Sequence, residues 1–208
     1  MFRITVLLSG RHGRGSNMAA LVQACRSGAI PDAAITDVIG SHPDSPALAR
    51  AADFGLTTHV AGGAGALADE ELLHLLDQTA PDLICLAGFM RKLPASVLVR
   101  FDRRIVNIHP ALLPSFGGRG MFGIHVHQAV IDHGCKVSGC TVHFADEEFD
   151  TGPILAQTCV PVEEGDTAES LAARVLVAEH ETYPKAVALI AQNRVSFDGR
   201  RVLISDAE

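Results

Sequence analysis

Arg3-Ile4-Thr5-Val6-Leu7-Leu8-Ser9-Gly10-Arg11-His12-Gly13-Arg14-Gly15-Ser16-Asn17 is the stretch whose reading decides the fold. The β-branched and apolar run from Arg3 to Leu8 reads as a strand. A glycine-rich turn follows it, and the chain then takes up a helical pattern from about Asn17 to Ser27. Strand, glycine turn and helix in that order open an α/β domain, and the alternation continues outward. Further strands are expected at Ile35 to Gly40, Thr57 to Val60 and Leu83 to Ala87, with helices filling the gaps. The helix from Asp69 to Thr79 places Leu72, Leu73, Leu75 and Leu76 on one broad face and ends before Pro81.

Ile105 to His109 reads as a strand stopped by Pro110, and a short helix is expected from His125 to about His133. Val137 to Phe144 and Ile154 to Val162 are the next strands, joined by an acidic loop. Thr167 to Gln192 carries a long helical pattern. Thr167 is its N-cap, Ser170 stands where a glutamate is usual, and Pro184 is expected to bend or interrupt it. The tail from Val195 to Ile204, around Asp198-Gly199, reads as a hairpin. The expected fold is a single Rossmann-like α/β domain over residues 1–208, with a mostly parallel seven-stranded sheet covered by helices on both faces.

Composition narrows the function. The 208 residues, 48% of them hydrophobic, can bury one sizeable core. A net charge of −7 argues against a nucleic-acid partner, which would need a basic patch. Five cysteines without a Cys-x-x-Cys pair read as reduced thiols of a cytoplasmic protein. The chain opens directly into a strand without the apolar core of a signal peptide, and no apolar run reaches membrane-span length.

Two places carry chemistry. The glycine turn puts backbone amides and a helix N-terminus where an anion such as phosphate would sit. Ser16 occupies the place of the lysine of a nucleoside-triphosphate loop, and the spacing is not Gly-x-Gly-x-x-Gly, so neither a triphosphate nor a dinucleotide is favoured. The plain alternative is a turn that merely caps the helix through Ser16 or Asn17. The second place is Asn107-Ile108-His109-Pro110, where strand periodicity puts Asn107 and His109 on one face. Asp150, in Phe149-Asp150-Thr151-Gly152-Pro153, lies in a turn-rich loop placed to reach the same cleft. His125-Val126-His127 with His133 and His143 raises the question of a metal. The pair begins a helix, where a spacing of two points side chains apart, so no metal is expected.

Asn107 to Ser115, read together with Asp150-Thr151-Gly152-Pro153-Ile154, resembles the folate-dependent formyltransferase and formyl-hydrolase superfamily. Gly15-Ser16-Asn17, Ala87 to Arg91 and Glu179-His180 resemble one branch of it, the glycinamide ribonucleotide formyltransferases. The resemblance runs from Ile4 to Pro184. It implies 10-formyltetrahydrofolate as co-substrate, the amine of glycinamide ribonucleotide as acceptor, and Asn107, His109 and Asp150 as the catalytic trio. It also implies that Gly15, Ser16 and Asn17 hold the ribonucleotide phosphate and Glu179 its ribose. Met90, Arg91, Lys92 and Leu93, with Asn107 and Asp150, would line the folate pocket. On this reading the N-terminal half binds the nucleotide, and the C-terminal half binds folate and carries the catalysis. Without the resemblance, Met90 and Leu93 read as core and Arg91 as a solvated charge.

Formyl transfer needs an oxyanion stabilised and a proton moved from amine to leaving nitrogen. Asn107 can donate to the oxyanion, a contribution of roughly 3 to 4 kcal/mol, and a protonated His109 can add charge. Asp150 would keep His109 protonated and orient it. His143 is expected as a supporting group near His109. This chain departs from the pattern at Arg11 to Arg14, which lengthen the phosphate loop, and at Phe116 to Gly123, which read as an insertion. Gly62 to Gly65 stand where an arginine often meets the folate tail. Formyltetrahydrofolate hydrolase and a non-catalytic folate or nucleotide binder are the rival readings, and a homodimer is left open.

Overall fold

The first strand, β1 (Phe2–Leu8), buries its last five residues, as a strand covered on both faces must. The computed structural model describes residues 1–9, 13–62 and 66–206. Gly10, Arg11 and His12 of the first glycine stretch, and Gly63, Ala64 and Gly65 of the second, lie outside the described residues. After β1 come α1 (Ser16–Ser27), β2 (Ala33–Gly40), α2 (Pro46–Asp53), β3 (Thr57–Val60), α3 (Ala66–Thr79), β4 (Leu83–Leu86) and α4 (Ala95–Arg100). The chain continues through β5 (Ile105–His109), α5 (Ile124–Asp132), β6 (Val137–Phe144), β7 (Ile154–Pro161), α6 (Ala168–Ala191), β8 (Val195–Asp198) and β9 (Arg201–Ile204). Strands β1 to β7 form one sheet in the order β3-β2-β1-β4-β5-β6-β7, and β8 and β9 form a separate hairpin.

The chain divides into two compact units, Met1–Val106 and Asn107–Glu208. In the first, β1 pairs in parallel with both β2 and β4, and β2 with β3. Val6, Leu7, Leu21, Leu76 and Ile84 are fully buried there. The apolar stripe of α3 is narrower than the leucine pattern suggests. Leu72 and Leu76 are buried, while Leu73 and Leu75 are only partly covered. Helices α2 and α4 fill gaps for which the sequence showed no more than a helix-length space.

In the second unit, β6 and β7 run antiparallel, with Cys140 opposite Thr158 and Val142 opposite Ala156. The next pair is His143 with Ile154, so Leu155 is an extra residue bulged out of β7. Helix α6 packs on both strands. Its N-terminus is a reciprocal capping box in which Thr167 Oγ1 accepts from Ser170 N and Ser170 Oγ accepts from Thr167 N, so serine does what glutamate usually does. Pro184, expected to bend or interrupt this helix, does not interrupt it. Ala168–Ala191 is one helix, and the burial of Tyr183, Pro184, Ala186 and Val187 offsets the lost backbone hydrogen bond. The tail hairpin pairs Val195 with Ile204, as the Asp-Gly turn predicts. Among the described residues no helix is long and apolar enough to cross a membrane.

Candidate active site

Strand β5 ends in Asn107, Ile108 and His109, and Pro110 stops it. The His109 ring is almost wholly buried, at 4% exposure, and its Nε2–H donates to the carbonyl of Phe116 at 2.8 Å. Its Nδ1 faces Asp150 Oδ2 at 3.5 Å. From β6, His143 turns Nε2 toward Asp150 Oδ1, also at 3.5 Å, and meets Asn107 Nδ2 at 3.1 Å. His143 Nδ1 lies 3.0 Å from the Phe144 carbonyl, which can only accept, so the neutral ring carries its proton on Nδ1 and accepts from the Asn107 amide through Nε2. His143, expected as a neighbour of His109, bridges Asn107 and the carboxylate.

Asp150 reaches this point through a constrained loop. Its φ of +59° is left-handed, a region that aspartate tolerates better than most residues. Phe144 N donates to the Pro153 carbonyl at 2.8 Å, closing the loop at its base. A Cβ on Gly152 would lie 1.8 Å from the Phe144 carbonyl oxygen, so only glycine fits that crossing. Asp146 Oδ1 accepts from the Thr151 hydroxyl at 2.7 Å and braces the loop from within. Gly118 N donates to Asp150 Oδ2 at 2.9 Å. The segment read as an insertion, Phe116 to Gly123, therefore supplies a carbonyl to His109 and an amide to Asp150.

Burial pushes the His109 ring below its ordinary value of 6.5. Asp150 and the Phe116 carbonyl pull it back up, His143 adds to the lowering, and the net direction is down. This corrects the expectation that Asp150 keeps His109 protonated at neutral pH. The carboxylate acts as expected, but desolvation outweighs it and the resting ring is mainly neutral. Burial alone would raise Asp150. The neighbouring His143 ring, the charge of His109 and the Gly118 amide together hold it below the ordinary 3.8, so it is a carboxylate at neutral pH.

His127 was weighed only as a metal ligand. It sits on α5 at 4% exposure with Nδ1 unpaired, while His125 is exposed. Burial first, then the charge of His109, pushes it down to about 4. Among the described residues no group of three or more His, Cys, Asp or Glu is arranged to hold a metal ion. Glu179 is a buried carboxylate of α6; burial first, and then the charge of Glu179, raises the Cys140 thiol.

The other expected residues belong to the first unit. Gly15, at φ +63°, is the N-cap of α1 and makes no side-chain cap hydrogen bond. A Cβ there would fall 3.0 Å from Ala47 Cβ, so the turn is tight as well as left-handed. Arg14 is exposed, and its carbonyl accepts from Arg50 Nη1 at 3.2 Å. Met90 N donates to Ser9 Oγ at 2.6 Å, and the Met90 side chain is 52% exposed rather than core. Arg91 is held between the Ala61 carbonyl and Asp69, not solvated freely. Lys92 is exposed and Leu93 is buried.

The fold is that of an α/β protein in which His109, His143, Asp150 and Asn107 form one polar cluster. Residues 2–187 match the family described as formyl transferase, and the chain belongs to that family. The phosphoribosylglycinamide formyltransferase of Escherichia coli (strain K12) is 35% identical over 210 residues, covering 96% of this chain and 95% of that protein. The chloroplastic phosphoribosylglycinamide formyltransferase of Arabidopsis thaliana is 38% identical over 190 residues, 89% of this chain, and the match spans 65% of that relative's length. Among solved structures, glycinamide ribonucleotide transformylase 1 from Symbiobacterium toebii superposes with a TM-score of 0.90 at 41% identity, covering 99% of this chain and 95% of that one.

Proposed function

We propose that this chain transfers the formyl group of 10-formyltetrahydrofolate to the amine of glycinamide ribonucleotide, giving the formylated ribonucleotide and tetrahydrofolate in purine synthesis. The observation that carries the reading is the linked run Asn107–His143–Asp150–His109, each residue within hydrogen-bonding or ion-pair reach of the next, in a chain of this family. Asn107 donates to the oxyanion that forms as the amine attacks the formyl carbon. A His109 that rests neutral is suited to take the amine proton and return it to the leaving N10 nitrogen. While the ring holds that proton, Asp150 and the Phe116 carbonyl face its two nitrogens and stabilise the imidazolium.

On this reading the first unit is the nucleotide-binding half, with Gly15, Ser16 and Asn17 presenting the first turn of α1 to the phosphate. The second is the catalytic half, and Glu179 holds the ribose hydroxyls. Met90 to Leu93 offer backbone groups to the pterin. The working partners are the two small-molecule substrates, with no metal, and the site of action is the cytoplasm.

The test is amine-dependent transfer from a 10-formylfolate donor, followed by absorbance. His109→Ala and Asp150→Asn are each expected to lose about a hundredfold or more in kcat while remaining folded. Donor breakdown that does not need the amine would mark a hydrolase instead, and absence of turnover with intact binding would mark a binder.

A further inference from the structure

The Asp150 loop is held from outside by a part of the chain beyond the residues that match the family. The family match ends at residue 187, and the hairpin of β8 and β9 follows it. Phe197 of β8 packs edge-on against Phe144 with ring centroids 4.9 Å apart, which seats the hairpin beside the end of β6. Arg194 and Ser205 close its open end, through Ser205 N to the Arg194 carbonyl at 2.9 Å and Arg194 Nε to the Ser205 carbonyl at 2.8 Å. At the turn, Arg200 Nη2 donates to the carbonyl of Thr151, the residue directly after Asp150. Arg200 and Asp150 also line one cleft of about 700 Å³ with Gly118 and Pro153.

The geometry points to Arg200 as a positioning residue that fixes the peptide after Asp150 and so keeps its carboxylate against His109 and His143. The need for such a contact is local. Asp150 sits at a positive φ, and the adjoining Thr151 is exposed, so burial does little to hold this turn. The guanidinium acts through the main chain, since its charge is not among the causes that set the Asp150 carboxyl. Among the described residues the neighbouring Arg201 side chain makes a long pair with Asp198, at 3.8 Å, and serves as the control.

The groups facing His109 are Asp150 from its loop, His143 from β6, His127 from α5 and the Phe116 carbonyl. Asp150 is the one carboxylate among them. If its loop drifts, the upward pull on His109 weakens and the ring titrates at still lower pH. The proposal rests on the Asp150–His109 geometry, and its first readout does not require formyl transfer.

Histidine-ring NMR titration of the full chain is expected to show the His109 midpoint lowered by about half a pH unit in Arg200→Ala and in Arg200→Ser. Arg200→Lys restores it, and Arg201→Ala leaves it unchanged. In the transfer assay the same two Arg200 variants lose about fivefold in kcat with an unchanged KM for the amine substrate, the size of one ordinary hydrogen bond. A His109 midpoint unmoved in folded Arg200→Ala and Arg200→Ser overturns the assignment, as does an equal shift in Arg201→Ala. If wild type transfers no formyl group, the proposed function fails, while the titration still decides the role of Arg200.

Discussion

His127 shows how a single side chain ties stability to pH. Its ring is buried, its Nδ1 has no partner, and its folded-state value lies near 4 against 6.5 for the unfolded chain. Between those values the unfolded state binds the proton and the folded state does not, so stability falls as pH drops from about 6.5 toward 4. The contribution is on the order of 2 kcal/mol. Urea unfolding of wild type and His127→Leu at pH 7 and pH 4.5 should show a smaller acid loss in the variant, and an equal loss in both would remove His127 as the cause. At this scale Asn107, His109 and Asp150 were legible in the sequence because spacing on a strand and a turn signal placed them. The Phe116 carbonyl and Gly118 amide were not, since any residue brings those groups and only the folded path of the loop aims them. The protonation of His109 was misread for a related reason. A neighbouring carboxylate can be read from residue type, whereas the depth of burial that opposes it cannot.

Elements were read more reliably than their details. Strands β3, β5 and β6 stand where β-branched runs and flanking turns put them, and the Asp-Gly turn gave the tail hairpin. Pro184 was read from its local penalty, and packing along α6 overrode it. Gly152 carried a loop signal and nothing more, yet it is the tightest crossing in the Asp150 loop. Gly152→Ala places a methyl group against the Phe144 carbonyl, and the main chain must shift. The expected result is a loss of about 1 to 3 kcal/mol in urea unfolding. Turnover should fall by about tenfold or more as Asp150 moves off His109. Wild-type turnover in this variant would mean that the crossing does not position the carboxylate.

For the whole chain, ligand and fold are linked by mass action. Glycinamide ribonucleotide at about a hundred times its dissociation constant should add about 2.7 kcal/mol of stability and raise the unfolding midpoint by roughly 5 to 10 °C. A midpoint that responds to the folate alone would move the nucleotide site away from this chain. Overall architecture was legible from alternation, and the strand order was assigned only by the coordinates, because the turns that reorder strands carry no sequence signature of their own. One small irregularity bears on how such a chain can change. With Leu155 bulged from β7, that strand carries one residue more between Ile154 and Ala156 than the ladder needs. Losing the Leu155 codon would leave the reading frame and the site side chains intact, yet shift the register of the strand into which the Asp150 turn runs. Variation in this segment should therefore accept exchanges of letters far more readily than changes of length.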